Sequence, residues 1–545
     1  MKLPPDLTVR ESLDHRYRFA VLVLILLASV SIRLYDLSGY IGLDDAEYAR
    51  FASRLAHGEP FPAAYSGPAV FPLRVGVFGP PALLFRLFGV SEWTMILYPL
   101  ALSIAGIVLV YACASLYFGA RAGLIAAAIL GGYHWDVESS TKLLPDLPAA
   151  CLALAGVTLV AWIDHLGTEN RRRLLGGGLL AGISFGFSWL CKETVAYLVP
   201  FCLVLLVLMY RRHGRAVLLL WAGVAIGALS ILGAETLSYY AATGDPLFRF
   251  HETERNYRQW QNGFFTEGSD FGWSPGTTRA QALLDRLFIS GPRVILFDRS
   301  LYFLPFFGLV AVLYGWLRRD RAFLVPGVWL GSLVLMFNFA SSSLESYVPL
   351  AIFHRYLYPL FYPSVIVVAG FIAVTLFAPW QLRAPRLAGA VCVLAMLSAG
   401  MPHLYYGATS RSAWMAEARV WRHEVRPETV VYADALTLRA FEFYAGYPNA
   451  TRWTAFEQLA STGDFAAGSL VVVNRRYIEW LDRNAGMWLT WPLPGPTDPS
   501  GYRSHPFYTD PPRSWTTVWQ NADVRVYRVG LASAAMPVAA EGTLR

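Results

Sequence analysis

Long apolar stretches recur along the first 400 or so residues, and their length constrains the fold more than any other feature of the sequence. A helix needs about 20 apolar residues to cross the roughly 30 Å hydrocarbon core of a bilayer. The chain of 545 residues is 55% hydrophobic and only 15% charged, which is too little charge to cover the surface of a soluble protein. We therefore predict a mainly α, polytopic membrane bundle of about eleven helices, over residues 18–36, 93–117, 121–135, 145–163, 174–190, 194–210, 216–239, 299–317, 322–340, 355–378 and 387–402.

Basic residues in the short loops orient this bundle. With these spans, every short arginine-rich loop falls on the same side of the membrane as the amino terminus, and the positive-inside rule assigns that side to the cytoplasm. The same loops account for the net charge of +7, so the charge gives no reason to expect a nucleic-acid partner. The basic positions are Lys2, Arg10, Arg16, Arg18, Arg121, Arg171, Arg172, Arg173, Arg211, Arg212, Arg215, Arg318, Arg319, Arg321, Arg383 and Arg386.

The long polar segments then fall on the outer side. We expect a membrane domain over residues 1–402, a soluble α/β domain over residues 403–533 and a disordered tail over residues 534–545. The outer loops are residues 37–92, 134–144, 240–298 and 341–354, and the first of them contains a semi-apolar piece, Ala82–Phe88, that suits an interfacial helix. In the soluble domain, strands are predicted at 429–433 and 469–473, a hairpin at 516–529, and helices at 435–446 and 454–461.

Three acids follow the first apolar run directly: Asp44, Asp45 and Glu47. A charged group costs roughly 2.5–3.5 kcal/mol at the centre of a bilayer, so a cluster of carboxylates at its edge is a functional hypothesis by default. The alternative is that these acids are simply solvated in an outer loop.

Further acids and bases lie at the outer ends of other predicted helices. A carboxylate can accept a hydroxyl proton, and Arg or Lys can stabilise phosphate charge as a bond breaks. A site built from these residues suits a neutral hydroxyl nucleophile and an anionic lipid leaving group. The alternatives are a helix cap for Asp146, an interfacial ion pair for Lys192 and Glu193, and a head-group anchor for the 354–356 segment. The positions concerned are Lys142, Asp146, Lys192, Glu193, Arg355 and Tyr356.

Cysteine and histidine residues give no sign of a disulfide framework or a metal site. All five cysteines fall inside or at the ends of apolar runs, as expected of small residues in helix packing. No metal-ligand spacing links His57, His134 and His251 to nearby acids.

Several motifs together resemble a known family. The sequence is similar to the bacterial relatives of protein O-mannosyltransferases and aminoarabinose transferases, within the GT-C membrane glycosyltransferases. The likeness covers roughly residues 18–400, and the soluble tail is a common but variable attachment in such enzymes. The matching segments are Asp44 to Ala52 with Leu55 and Gly58, Leu87 to Gly89, Pro145-Asp146, Gly186 to Lys192, Thr243 to Leu247, and Arg355-Tyr356 with Pro359.

The resemblance implies a function and roles for these residues. It implies inverting transfer of a sugar from a polyprenyl-phosphate donor to a hydroxyl on a protein, lipid or glycan, at the outer face of the bacterial cytoplasmic membrane. Asp44, Asp45 and Asp146 are then the expected catalytic residues, with Asp44 as the base and Asp45 at a position where relatives usually carry Glu. Asp146 would order the acceptor or the base. The residues expected to bind the donor phosphate are Lys192, Arg355, Tyr356, Arg74 and Lys142.

The first loop departs from the family pattern. Relatives often carry a cation before a Pro-Pro-Leu step, but this chain has Gly79 there, which leaves Arg74 as the alternative cation of that segment. Only some relatives bind a divalent metal. Because Arg and Lys alone can stabilise a single-phosphate leaving group, no metal or cofactor is predicted.

Two other classes of function remain as alternatives. A transporter or flippase of a lipid-linked sugar would place ionisable residues and broken helices near the bilayer midplane, often in two repeated halves. The charges here cluster at the outer edge and no internal repeat is visible, which favours the enzyme. A structural or sensory protein with a partner-binding outer domain explains the tail but not the loop motifs.

Overall fold

The structure, a computed structural model, is dominated by helices. It describes residues 15–42, 44–59, 70–167, 170–264, 267, 275–341, 347–352, 354–377, 383–426, 428–447, 453–455, 465–475 and 511–530. The helices are α1 His15–Tyr35, α2 Asp44–Ala56, α3 Val70–Leu73, α4 Val75–Phe88, α5 Glu92–Phe118, α6 Ala120–Gly131, α7 His134–Ser139, α8 Asp146–Leu166, α9 Arg171–Cys191, α10 Val199–His213, α11 Val217–Thr243, α12 Phe248–Phe264, α13 Arg279–Asp285, α14 Gly291–Phe297, α15 Leu304–Leu317, α16 Leu324–Phe339, α17 Tyr358–Leu376, α18 Arg383–Glu424 and α19 Ala435–Tyr444.

Each predicted membrane span coincides with one of these helices. Among the described residues, seven helical segments are long and apolar enough to cross a membrane, and four further apolar helices are shorter. The predicted mainly α, multi-pass membrane fold is therefore confirmed, while the total of about eleven spans stays a prediction. The seven segments are Arg16–Tyr35, Glu92–Phe118, Asp146–Leu166, Arg171–Cys191, Glu193–Thr243, Arg321–Phe339 and His354–Leu376, and the shorter ones are Val75–Phe88, Ala120–Gly131, Leu304–Leu317 and Ala384–Ser398.

Small residues bring α9 and α11 unusually close together. A Cβ atom added at Gly178 or Gly182 would lie 2.1 Å from a backbone oxygen of α11. Likewise, a Cβ atom added at Gly223 or Gly227 of α11 would lie 2.5 or 2.3 Å from a carbonyl oxygen of α9. Glycines four residues apart let membrane helices pack backbone to backbone. This packing fixes the end of α9, where Lys192 follows.

A buried ion pair ties α1 to α7 and α17. The Arg33 guanidinium donates to the Asp136 carboxylate at 2.5 Å, and both side chains are fully buried. Ser103 and Tyr358 also donate to this carboxylate. Because a buried charge is costly unless it is paired and hydrogen-bonded, these contacts fix the start of α17 against α7. Neither Arg33 nor Asp136 was singled out from the sequence.

This cluster gives a stability prediction. We expect Tyr358→Phe to lower the free energy of unfolding by about 1.5–3 kcal/mol, because a buried carboxylate loses one charge-assisted hydrogen bond. Tyr133→Phe is the matched control, since the buried Tyr133 hydroxyl has no hydrogen-bond partner among the described residues. Thermal unfolding of the detergent-purified variants measures the difference. Equal unfolding temperatures for the two variants would contradict the assignment.

The described part of the carboxyl-terminal domain contains a mixed sheet of five strands: β1 Val431–Ala433, β2 Trp453–Ala455, β3 Leu470–Asn474, β4 Thr516–Gln520 and β5 Val524–Arg528. Its order is β2-β1-β3-β5-β4, with β1 parallel to β2 and β3, and β5 antiparallel to β3 and β4. The predicted strands, the hairpin and the helix at α19 are confirmed. One helix, α18, runs across the domain boundary predicted at residue 402.

The helix predicted at 454–461 is wrong at its start. Residues 453–455 form β2, because Trp453 packs edge-on against Trp421 of α18 and beside Phe441 of α19, which holds this segment against β1. The remainder of that predicted helix and the tail at 534–545 lie outside the described residues.

Candidate active site

The chain turns sharply before α2 and places Asp44 at the first position of that helix. Gly42 has φ +85°, a left-handed conformation that glycine adopts without strain. The Asp45 carboxylate accepts the backbone N–H groups of Ile41 at 2.6 Å and Gly42 at 3.4 Å. Asp45 is 1% exposed. Its carboxylate therefore holds the turn that presents its neighbour Asp44.

Asp44 forms an ion pair with a residue more than 300 positions away in the sequence. Arg355 Nη1 donates to Asp44 Oδ2 at 2.7 Å, and both side chains remain partly accessible. Arg355 lies in the short helix His354–Leu357, directly before α17. Because the Arg33 and Asp136 cluster fixes the start of α17, it also fixes where Arg355 can reach.

A second ion pair adjoins the first through an aromatic ring. Lys192, just after α9, donates to Asp146 at the start of α8, and both side chains are at most 5% exposed. Lys192 Nζ lies 3.9 Å from the centroid of the Tyr356 ring, and Arg355 Cζ lies 5.3 Å from it. The second carboxylate oxygen of Asp146 is buried and has no hydrogen-bond partner among the described residues. The site thus holds two acids and two cations around one ring.

Arg74 joins α2 to the segment after α9. It donates to the Tyr48 hydroxyl at 2.9 Å and to Glu193 at 3.0 Å. Burial raises the pKa of Tyr48 well above its usual value, so this phenol remains a neutral partner on α2. Glu193 therefore pairs with Arg74, while its neighbour Lys192 pairs with Asp146.

Arg249 extends this network and was missed by sequence reasoning. It is 5% exposed, donates to Glu235 of α11 and to the Trp189 carbonyl oxygen, and stacks on the Trp189 ring at 4.7 Å. Its guanidinium also approaches Glu193 at 4.0 Å. The signal that could have found this pair was Glu235, an acid inside an apolar run, which needs a buried cation.

Lys142 occupies a different place from Lys192. It pairs with Glu138 one helical turn earlier, and His134 approaches the same carboxylate at 3.2 Å. Although burial opposes it, the hydrogen bonds from His134 and Lys142 lower the pKa of Glu138 to about 2. The structure thus brings together Asp44, Asp146, Lys192, Arg355 and Tyr356, with Arg74 bound to the same helix as Asp44, and pairs Lys142 with a residue that the sequence did not single out.

The site is rich in paired charges, and its acids do not converge on one point. Among the residues that the structure describes, no group of three or more His, Cys, Asp and Glu side chains is arranged to hold a metal ion. Each cation instead faces a carboxylate. Arg355 and Lys192 thus both lie close to the Tyr356 ring, and the Asp44 carboxylate contacts the Arg355 guanidinium.

Comparisons with known proteins agree with the resemblance seen in the sequence. Residues 81–233 match the family model described as dolichyl-phosphate-mannose-protein mannosyltransferase. The ArnT structure from Cupriavidus metallidurans bound to undecaprenyl phosphate is similar at a TM-score of 0.56 and 15% identity, covering 95% of this chain and 98% of that one. The oligosaccharyltransferase from Archaeoglobus fulgidus, tethered to an acceptor peptide, is similar at a TM-score of 0.52 and 14% identity, covering 90% and 72%.

These likenesses establish the fold. The chain has the membrane fold of the GT-C glycosyltransferases, and the predicted resemblance to the relatives of protein O-mannosyltransferases and aminoarabinose transferases is confirmed. No curated protein sequence matches the chain.

Proposed function

We propose that this protein is an inverting glycosyltransferase that moves a sugar from a polyprenyl-phosphate donor to a hydroxyl acceptor. The observation that carries the proposal is the 2.7 Å contact between Asp44 and Arg355, beside Lys192 and Tyr356. Residues from three distant segments meet there, and together they offer one general base and two phosphate-binding cations. The predicted topology assigns this site to the outer face of the bacterial cytoplasmic membrane, with the amino terminus in the cytoplasm and the carboxyl-terminal domain outside.

The donor side of the reaction uses the cations. The acceptor oxygen forms a bond to the anomeric carbon while the bond from that carbon to the phosphate oxygen breaks. The electron pair of the broken bond leaves with the polyprenyl phosphate, whose growing charge Arg355 and Lys192 stabilise by charge-assisted hydrogen bonds. ArnT from Cupriavidus metallidurans, a protein of similar fold, binds undecaprenyl phosphate, which supports this class of donor.

The acceptor side uses Asp44. Its carboxylate accepts the proton of the attacking hydroxyl, which makes the oxygen a better nucleophile. In the structure, that carboxylate is paired with Arg355. A donor phosphate competes for the same guanidinium, so donor binding weakens the ion pair and releases the base for the acceptor. One buried carboxylate oxygen of Asp146 accepts no hydrogen bond within the described part of the chain, and in this mechanism it accepts one from a hydroxyl of either substrate.

The acceptor is a hydroxyl of a protein, a lipid or a glycan, and one experiment identifies both substrates. Envelope glycans, glycolipids and glycoproteins are compared by mass spectrometry in cells with the protein, without it, and with Asp44→Asn restored at equal abundance. We expect one sugar to be missing from one acceptor class both without the protein and with the variant. Restoration of the sugar by Asp44→Asn would contradict the assigned base.

Mutant cells and purified protein together distinguish the proposed enzyme from a flippase. A flippase mutant would lose the sugar from every acceptor that draws on the lipid-linked donor, and purified protein would release no polyprenyl phosphate. The proposed enzyme releases polyprenyl phosphate in a purified assay that contains only protein, donor and acceptor.

A further inference from the structure

Helix α19 of the carboxyl-terminal domain contacts α2 through two ion pairs. In one pair α2 supplies the acid, and in the other α2 supplies the base. Glu47 of α2 pairs with Arg439 of α19 at 3.0 Å, and Arg50 of α2 pairs with Glu442 of α19 at 2.5 Å. On each helix the two charges are three residues apart, so they share one face. An acid and a base on α2 therefore face a base and an acid on α19, which fixes both the register and the direction of the contact.

A second face of helix α19 packs against the sheet. Leu438 and Phe441 pack in the core with the strands and with Val420 of α18. Ala440 and Phe443 instead belong to the apolar cluster that contains Phe51 of α2 and Phe78 of α4. The helix is thus shared between two cores, and its position on α2 depends on where the sheet lies.

The contacts of α19 lie on both sides of Asp44 in the sequence. Four residues before it, Tyr40 stacks on Phe443 with ring centroids 4.5 Å apart. The Tyr444 hydroxyl donates at 3.0 Å to Glu92, whose carboxylate also accepts from the backbone of Tyr40. Three and six residues after Asp44 come Glu47 and Arg50. The turn and the helix that carry Asp44 are therefore both held by α19.

We propose that α19 positions Asp44 against Arg355, so that the carboxyl-terminal domain helps to set the geometry of the site. This inference rests on the proposed function for its effect on turnover. Arg355 is held by α17 in the membrane bundle, whereas Asp44 is carried by α2, which packs against both α4 and α19. A displacement of about 1 Å at a reacting group can cost 10²-fold in rate, so contacts remote from the reacting atoms control the rate. Arg50 and Glu442 are positioning residues, since neither contacts Asp44 or Arg355.

Charge reversal tests the proposal. Arg50→Glu, Glu442→Arg and the double variant are purified, and kcat and donor KM are measured for each. We expect each single reversal to lower kcat about 10-fold through misplacement of Asp44, with donor KM within about twofold of the wild type because Arg355 and Lys192 are unmoved. The double variant restores opposite charges and should return kcat to within about twofold of the wild type.

A matched control lies on the same helix. Arg54 pairs with Glu59 at 2.8 Å, outside the α19 contact, so Arg54→Glu changes the charge of α2 by the same amount without touching α19. We expect Arg54→Glu to keep wild-type kcat. Unchanged kcat in both single reversals, or failure of the double variant to recover, overturns the proposal.

A second measurement does not depend on catalysis. Amide hydrogen exchange over residues 44–56 should rise in each single reversal and return to the wild-type rate in the double variant, because α19 restrains α2. Tyr444→Phe gives a milder test if a reversal unfolds the domain, with a smaller rise in exchange. If wild-type protein shows no transfer but this exchange pattern holds, then the proposed function fails and the restraint stands. Unchanged exchange in every variant overturns the restraint itself.

Discussion

Replacing Asp44 with asparagine is expected to lower glycosyl transfer by about 10²–10⁴-fold, the usual contribution of a general base. Asparagine keeps the size of the side chain but cannot take the hydroxyl proton. The measurement is the release of polyprenyl phosphate from a polyprenyl-phosphate sugar by purified protein in detergent or lipid nanodiscs. The loss should appear in kcat, since Asp44 acts on the attacking hydroxyl and not on the donor phosphate.

The affinity for the donor distinguishes Asp44→Asn from other inactive variants. Asp44→Asn removes the carboxylate that competes for Arg355, so polyprenyl phosphate should bind at least as tightly as it does to the wild type. Asp45→Asn is the matched control, because Asp45 accepts backbone N–H groups of the turn, and an amide oxygen can still accept one. A fall in turnover for Asp45→Asn as large as that for Asp44→Asn would assign Asp45 to the chemistry instead. Near-normal turnover of Asp44→Asn would exclude it as the base.

Replacing Arg355 with alanine is expected to lower turnover by about 10²–10³-fold and to weaken donor binding as well. The guanidinium stabilises charge that develops on the leaving phosphate, and loss of one such preorganised contact has an effect of this size. Arg355→Lys should recover only part of the rate, because an ammonium group cannot bind phosphate through two parallel hydrogen bonds. The same release assay and a titration with polyprenyl phosphate measure both effects.

The control for this variant is an arginine exposed near the same end of the bundle. Arg299 is exposed and donates to the Ser398 carbonyl oxygen at 3.2 Å, so Arg299→Ala removes a positive charge without touching the site. It should leave turnover within about twofold of the wild type. If Arg355→Ala and Arg299→Ala behave alike, then the phosphate does not bind where we propose. The opposite changes in donor affinity expected for Asp44→Asn and Arg355→Ala distinguish the base from the phosphate-binding cation.

The helices could be predicted from the sequence because the bilayer sets one simple length requirement, and apolar runs meet it independently of one another. The residues at the site could also be named, since acids and bases at helix ends stand out against an apolar background. Their pairing could not be predicted in this way. The ion pair between Asp44 and Arg355 joins two loops far apart in the sequence, and it depends on how α2 and α17 pack.

Lys192 and Glu193 show why adjacency in sequence misleads. An ion pair between these neighbours was one prediction, yet Lys192 binds Asp146 and Glu193 binds Arg74. The backbone at Lys192 is extended, with φ −161° and ψ 140°, directly after the last turn of α9. Successive side chains on extended backbone point in opposite directions, so the two charges face different neighbours.

The contact between α2 and α19 lay beyond sequence reasoning for a different reason. The two charges on each helix are ordinary for a surface helix, and nothing local indicates that they face each other. Only the docking of the carboxyl-terminal domain brings them together. Lys142 is a related case, because its pairing with Glu138 is local, yet Lys142 was predicted only as a phosphate-binding residue.

A cryo-electron microscopy structure with polyprenyl phosphate bound tests the central claim most directly, because it locates the phosphate relative to Asp44, Arg355 and Lys192. We predict a phosphate within hydrogen-bonding distance of Arg355 and Lys192, with Asp44 separated from Arg355 and facing the space where an acceptor hydroxyl would enter. A phosphate bound elsewhere, with the contact between Asp44 and Arg355 still intact, would contradict this prediction.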